Sequence, residues 1–251
     1  MPKLSVLILT KNESACLANC LASVRGADEI VVVDDLSQDD TVALALAAGA
    51  KVTERKLDSF AGQRNFAQAQ ASGDWVFHLD ADERFSPGLL TAIRRHMELY
   101  PGAAGRVVRH NFAFGRRHRF GVLKTDRVTR LFPRGSAAWT GPVHERPVFD
   151  GQVRPLSGHL DHLTYRDWEQ HKLKMDLYTA QWAESAWAQG RRVGPAMPWL
   201  RAGAGFLKVF FLNLGLLGGP TAWALCRRHF TYTLTKYRNL VALSRRQDAK
   251  T

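Results

Sequence analysis

Short, continuous apolar runs recur through the N-terminal part of this chain, and the segments between them repeat apolar residues at helical spacing. The runs at 4–9, 30–33 and 75–79 read as strands, as does the short segment 51–54, and the segments 14–24, 41–49, 60–71 and 86–100 read as helices. A continuous apolar run between turn residues fits a strand buried on both faces. Strand alternating with helix predicts an α/β fold, a mostly parallel sheet flanked by helices. Ser86-Pro87 has the cap and first-turn pattern of a helix start, so the helix at 86–100 is expected to begin there. The pattern changes after Gly105, where 107–114, 128–132 and 153–163 look like strands separated by loops. From Asp167 onward the periodicity is helical: an amphipathic helix at 167–189, a loop at 191–198, a strongly apolar stretch at 205–217, a break at Gly218-Gly219-Pro220, and a helix at 223–246. The chain therefore divides into an α/β part at 1–165, with halves 1–104 and 105–165, and a helical part at 166–251.

Composition sharpens this division. The 251 residues are 45% hydrophobic, enough for a substantial core, and the formal net charge is +12. That charge is uneven: 1–104 is net −4, 105–134 net +8, 135–165 net −1 and 166–251 net +9. Basic patches of this kind attract phosphates, anionic lipid surfaces or nucleic acid. Cys16, Cys20 and Cys226 show neither a disulfide framework nor zinc spacing, which favours a reducing compartment. The apolar run at 4–9 is too short for the core of a signal peptide, so a cytoplasmic location is expected.

Two of the buried strands run directly into acids, at Asp34-Asp35 and at Asp80-Ala81-Asp82. Open α/β sheets bind ligands at the carboxyl ends of their strands. Asp80 and Asp82 together offer hard oxygen donors suited to a divalent cation carrying phosphates. The combination points to chemistry on a nucleotide. Asp34 follows buried apolar residues and has no helix to cap, whereas Asp39 favours a helix N-terminus, a placement worth roughly 0.3–1 kcal/mol.

The stretch Ser5-Val6-Leu7-Ile8-Leu9-Thr10-Lys11-Asn12-Glu13 resembles the opening motif of one family, the family 2 glycosyltransferases. Val33-Asp34-Asp35-Leu36-Ser37-Gln38-Asp39-Asp40-Thr41 is similar to its second motif, and Gln63-Arg64-Asn65 and Leu79-Asp80-Ala81-Asp82-Glu83 follow in order. Leu123-Lys124, Arg130-Leu131-Phe132, Gly141-Pro142-Val143-His144-Glu145 and Lys236-Tyr237 resemble the bacterial lipopolysaccharide core β-1,4-glucosyltransferase group. Asp35-Leu36 departs from the serine-glycine pair common in that group.

The resemblance implies a GT-A fold, a nucleotide-sugar donor such as UDP-glucose, and inverting transfer of a hexose by direct displacement. Thr10, Asn12, Glu13, Asp34, Arg64 and Asp80 are the expected nucleotide-binding residues. Asp80 and Asp82 are expected to hold Mg²⁺ or Mn²⁺, with His144 either a third ligand or a group that orients Glu145. Glu145 is the expected base for the acceptor hydroxyl, with Asp82 as its rival, and Lys124 and Arg130 are expected on phosphate or acceptor. The acceptor implied is an anionic glycolipid, the lipid-linked inner core of lipopolysaccharide. A polyprenyl phosphate or a capsular glycan would also suit a family 2 enzyme.

The tail and the charge suggest two further expectations. The apolar stretch at 205–225 approaches the ~20 residues a membrane span needs, but glycines and Pro220 interrupt it and Arg201, Arg227 and Arg228 flank it. Two helices lying in the cytoplasmic face of the inner membrane are expected there, in preference to a buried pair or a dimer contact. A basic nucleic-acid-binding protein is the alternative from another class, since Phe112, Phe114 and Phe120 lie near Arg116-Arg117-His118-Arg119. It leaves the acid-tipped strands unexplained, and no nucleic-acid partner is expected.

Overall fold

The structure, a computed structural model, describes residues 1–141 and 145–248. Two compact units divide it: Met1–His110 with Asp126–His162, and Asn111–Thr125 with the chain from Leu163 onward.

In the first unit, β1 (Leu4–Thr10), β2 (Glu29–Asp34), β3 (Lys51–Glu54) and β4 (Trp75–Asp80) are linked by α1 (Ser14–Ser23), α2 (Thr41–Ala47) and α3 (Phe60–Gln70). They pair in parallel in the order β3-β2-β1-β4. Alternate residues of β1 serve opposite faces, as the period of two requires. Val6 and Ile8 pack with Leu17 and Leu21 of α1, while Leu7 packs with Val31, Val33 and Ala67 of α3. Both faces are covered, which is why the runs read as continuously apolar. The registers position the chemistry: Thr10 lies opposite Asp34, and Leu9 lies opposite Asp80. The two acid tips thus flank the carboxyl end of one central strand.

The remaining elements are β5 (Glu83–Phe85), α4 (Leu89–Leu99), β6 (Ala104–Ala113), β7 (Arg116–His118), β8 (Asp126–Pro133), β9 (Ala137–Thr140), β10 (Arg146–Phe149) and β11 (Val153–Tyr165). The sheet continues from β4 in the order β8-β6-β11-β5, with β8 antiparallel to both β4 and β6. Strands β9 and β10 form a separate antiparallel pair.

One expectation needs correcting. Ser86 does not cap a helix. Its Oγ accepts from the His159 N–H at 2.9 Å and its own N–H donates to the His159 carbonyl at 3.0 Å. Residues 83–85 pair with β11, so the chain is still in the sheet at Ser86, and α4 starts at Leu89 after Gly88 turns with φ of 82°. Strands β5, β7, β9 and β10 were not expected either; all are of three or four residues, too short to set a pattern.

In the second unit, α5 (Trp168–Ala188) is capped by Asp167, which accepts from the Gln170 N–H at 2.7 Å. There follow α6 (Met197–Leu207), a wide helical turn over Lys208–Leu212, a tight turn over Gly215–Gly218, and α7 (Gly219–Asp248). The axis bends by 65° between Met197–Leu212 and Gly215–Ser244. The bend falls at Leu214, whose φ of 54° is left-handed, and not at Gly218-Gly219-Pro220. Gly219 and Pro220 instead open α7, where proline's missing N–H costs no intrahelical bond. The bend is packed from within. A Cβ on Gly215 would sit 2.6 Å from the Val209 carbonyl oxygen and 2.7 Å from Cys226 Sγ. Among the described residues, no single helix is long and apolar enough to cross a membrane.

Candidate active site

The tip of β4 is the centre of a dense ion-pair network in the first unit. Asp80 Oδ1 accepts from Arg64 Nη2 at 2.7 Å, and its Oδ2 accepts from Arg130 Nη2 at 2.5 Å. Burial alone would raise the Asp80 pKa, but Arg130 and Arg64 outweigh it and hold the carboxyl far below the usual range. Arg130 responds in the opposite sense: burial alone would lower its pKa, and Asp80 and Glu83 together push it up. Arg64 Nε also donates to Glu145 Oε1 at 3.2 Å. One guanidinium therefore ties the β4 acid to the candidate base.

Glu83 completes the network from below. It is fully buried, accepts from the Asp80 N–H at 3.1 Å, and pairs with Arg109 at 3.1 Å and Arg130 at 3.4 Å. Such a buried carboxylate is tolerated because its lone pairs are taken by charged and backbone donors. Arg109 in turn grips Asp126 through two hydrogen bonds of 3.0 and 2.7 Å.

Arg64 is positioned by the neighbouring hairpin. Its guanidinium lies 4.7 Å from the Trp139 ring centroid, a cation–π contact. Asn65, the next residue on α3, clamps the Trp139 backbone in both directions, donating to its carbonyl at 2.9 Å and accepting from its N–H at 2.8 Å. The Trp139 indole donates to His78 Nε2 at 3.0 Å, and burial pushes the His78 pKa well down, so that ring is a neutral acceptor. Arg64 Nη1 and Arg130 Nε are buried with no hydrogen-bond partner among the described residues. Unused cationic donors beside carboxylates suit an anionic ligand.

Asp82 lies beside His162, with Oδ2 and Nε2 3.4 Å apart. Burial alone would lower the His162 pKa, but the Asp82 carboxylate, with Glu83 behind it, raises it. The neighbourhood follows from pairing: His162 on β11 lies opposite Glu83 on β5. No spacing in the sequence signals this contact, and His162, Glu83, Arg109 and Trp139 were all missed as site residues. His144 lies outside the described residues.

The β2 tip is built differently. Asp34 is fully buried, and its Oδ1 accepts from Thr10 Oγ1 at 2.7 Å and Ser37 Oγ at 2.6 Å, while its Oδ2 accepts from the Ser37 N–H at 2.6 Å. It does have a local task, that of fixing the 34–37 turn. Asn12 extends the same loop pair, donating its N–H to Ser37 Oγ and accepting from the Gln38 N–H, both at 2.8 Å, with φ of 52°. Glu13 precedes α1; its N–H donates to Thr41 Oγ1 at 2.8 Å and its Oε2 lies 2.9 Å from Cys16 Sγ. Lys124 is exposed and belongs to the second unit.

Among the described residues, His110, His159 and Asp161 form one group whose donor atoms lie within 4.8 Å of one another. Strand alternation places His159 and Asp161 on the face of β11 opposite His162. That group is therefore separate from the Asp80–Asp82 network.

The profile of the family described as glycosyl transferase family 2 matches residues 5–144. The chain belongs to this family. Over 234 residues it is 30% identical to an uncharacterized glycosyltransferase of Rickettsia prowazekii, covering 85% of this chain and 78% of that one. It is also 31% identical over 203 residues to the lipopolysaccharide core biosynthesis glycosyltransferase LpsC of Rhizobium meliloti, covering 76% and 75% of the two chains. Among solved structures, glucosyl-3-phosphoglycerate synthase from Mycobacterium tuberculosis, in complex with Mn²⁺ and uridine diphosphate, overlaps with a TM-score of 0.37 at 23% identity. That overlap spans 45% of each chain. The chain is thus a family 2 glycosyltransferase, and its sheet flanked by helices with a helical C-terminal region matches the fold class expected from the sequence.

Proposed function

We propose that this glycosyltransferase moves a hexose, glucose from UDP-glucose, onto the lipid-linked inner core of lipopolysaccharide, with inversion, at the cytoplasmic face of the inner membrane. One observation carries the reading: Asp80, Asp82, Glu83 and Glu145 converge with Arg64, Arg130 and His162 around the carboxyl end of β4. The likeness to LpsC supports the acceptor class.

Asp82 and His162 would hold a divalent cation between an oxygen and a nitrogen 3.4 Å apart, and Asp80 at the same strand tip would add a carboxylate. Bound Mg²⁺ or Mn²⁺ would supply charge neutralisation on the departing diphosphate. Arg64 and Arg130, with their unused donors, bind the diphosphate and hold it against the acids. Thr10, Asn12, Glu13 and Asp34 shape the nucleoside end through the loops they pin. The acceptor hydroxyl oxygen bonds to the anomeric carbon as the carbon–phosphate-oxygen bond breaks, and UDP leaves with the electron pair. Glu145 takes the hydroxyl proton.

The test is UDP release from UDP-glucose with Mn²⁺ and purified core glycolipid, with and without chelator. Acceptor-dependent release that chelation stops supports the reading. Transfer to a polyprenyl phosphate or a capsular glycan in preference to the core would replace the acceptor assignment while keeping the site.

A further inference from the structure

We infer that the bent α6–α7 region of the second unit is a docking surface for an anionic lipid bilayer, which it enters from one side without crossing. The observation is an inverted helix. Along α6 and the wide turn after it, the inward positions are small or modest: Pro198, Ala202 and Val209. Large apolar side chains face outward, with Arg201, Ala204 and Lys208 exposed among them. Leu200 is 65% exposed, Leu207 54%, Phe211 51% and Leu212 80%. Leu200, Leu207 and Phe211 follow the spacing of one helical stripe. A helix that ends in water carries charge on that face. Single exposed leucines are ordinary, whereas a contiguous stripe marks an interaction surface.

The bend extends the stripe. Leu214 and Leu217 are exposed at the turn, and Trp223 is exposed at the start of α7, with its indole N–H tied to the Leu216 carbonyl at 2.8 Å. A tryptophan with an apolar ring and a satisfied polar edge suits the headgroup boundary. The tip is held in shape from behind. The Gly121 N–H donates to the Asn213 carbonyl at 2.8 Å, and Gly215 packs against Cys226 and the Gly121 backbone. The apolar edge is thus presented on a fixed bend.

Charge identifies the occupant. From Ser185 to Gln247 the chain carries ten Lys and Arg and no Asp or Glu. Arg201 and Lys208 are exposed beside the stripe, and Arg227 is exposed just beyond Trp223. A second copy of this chain would bring the same positive charge to the contact and be repelled. An anionic bilayer satisfies both features, with leucine, phenylalanine and tryptophan in the acyl boundary and arginines on headgroup phosphates. Each cation near such a surface contributes about 1 kcal/mol. The inference deepens the membrane placement of the proposed function and rests on it, although no residue of the acid–arginine network takes part.

Vesicle co-sedimentation of the full chain tests it, using phosphatidylcholine alone and phosphatidylcholine mixed with phosphatidylglycerol. Binding to the mixed vesicles is expected to exceed binding to phosphatidylcholine by roughly tenfold or more, and to weaken with salt. The paired change Phe211→Asp and Leu212→Asp should abolish it. The paired change Arg201→Glu and Lys208→Glu should remove the preference for anionic lipid while leaving the core intact. Both proteins should keep the parent melting temperature and its shift with UDP and Mn²⁺, which separates lost docking from lost folding. Equal binding of the parent to both vesicles, no binding to either, or a dimer in light scattering that the same changes dissociate would each overturn the inference. Failure of UDP release alone would leave it untouched.

Discussion

Both carboxylate oxygens of Asp80 are held by guanidinium groups, whereas Asp82 faces a histidine and Glu145 shares Arg64 with Asp80. These unlike surroundings divide the acids by role and give separable outcomes. Asp82→Ala should abolish transfer while the protein stays folded, because Asp82 is partly exposed; its loss removes the carboxylate that raises the His162 pKa, so a modest fall in melting temperature is expected. Full activity in that variant would remove Asp82 from the site. Glu145→Gln should retain UDP-glucose binding by thermal shift and lose turnover; lost binding would instead make Glu145 a support for Arg64. His162→Ala should raise the Mn²⁺ concentration for half-maximal UDP release by about 10-fold or more, the usual cost of losing a ligand or its supporting partner. At the β2 loop, Asp39 accepts from Thr41 Oγ1 at 2.5 Å and from the Ser14 N–H at 3.2 Å, and these bonds lower its pKa from the ordinary 3.8 to about 2. A depressed folded-state pKa stabilises above the unfolded value and ceases to do so as pH falls through the folded one. Asp39→Asn should therefore melt below the parent at neutral pH, with the gap closing between pH 3.8 and about 2. A gap unchanged across that window would contradict the assignment.

At the level of elements, the site depends on how α3 meets the β9–β10 hairpin. Asn65 joins them by two hydrogen bonds to the Trp139 backbone, and Arg64 beside it lies over the Trp139 ring. Asn65→Ala leaves a donor and an acceptor of Trp139 unpaired, so urea unfolding should show a loss of about 1–3 kcal/mol. UDP binding should weaken with it, since Arg64 loses its platform; an unchanged affinity would show that the hairpin does not position Arg64. The parallel strands were legible because burial on both faces leaves a continuous apolar run, as at 30–33 and 75–79. Strand β5 was not, because its three residues include Glu83 and Arg84, which read as a polar turn. Ser86 misled for a related reason: serine before proline is a good cap, but pairing with His159 used its side chain first. The place of Asp34 at a strand tip is visible in sequence, whereas its three bonds to Thr10 and Ser37 are not.

Across the whole molecule, the first unit holds the acid–arginine network and the second holds the basic helical tail, free of acids from Ser185 to Gln247. Composition alone marked the tail as basic, whereas Arg109 and Arg130 of the network lie in the basic stretch 105–134. The contacts that complete the network were not legible. Glu83 with Arg109, and Asp82 with His162, arise from sheet order β8-β6-β11-β5, which brings together residues distant in sequence. We propose this network as a metal-assisted site for nucleotide-sugar transfer. The most direct measurement is UDP release from UDP-glucose with Mn²⁺ and core glycolipid, run in parallel with chelator and with Asp82→Ala. Acceptor-dependent release is expected in the parent and none in either control. Release that persists undiminished in chelator and in Asp82→Ala, or the absence of both binding and turnover for every nucleotide sugar offered with metal, would contradict it.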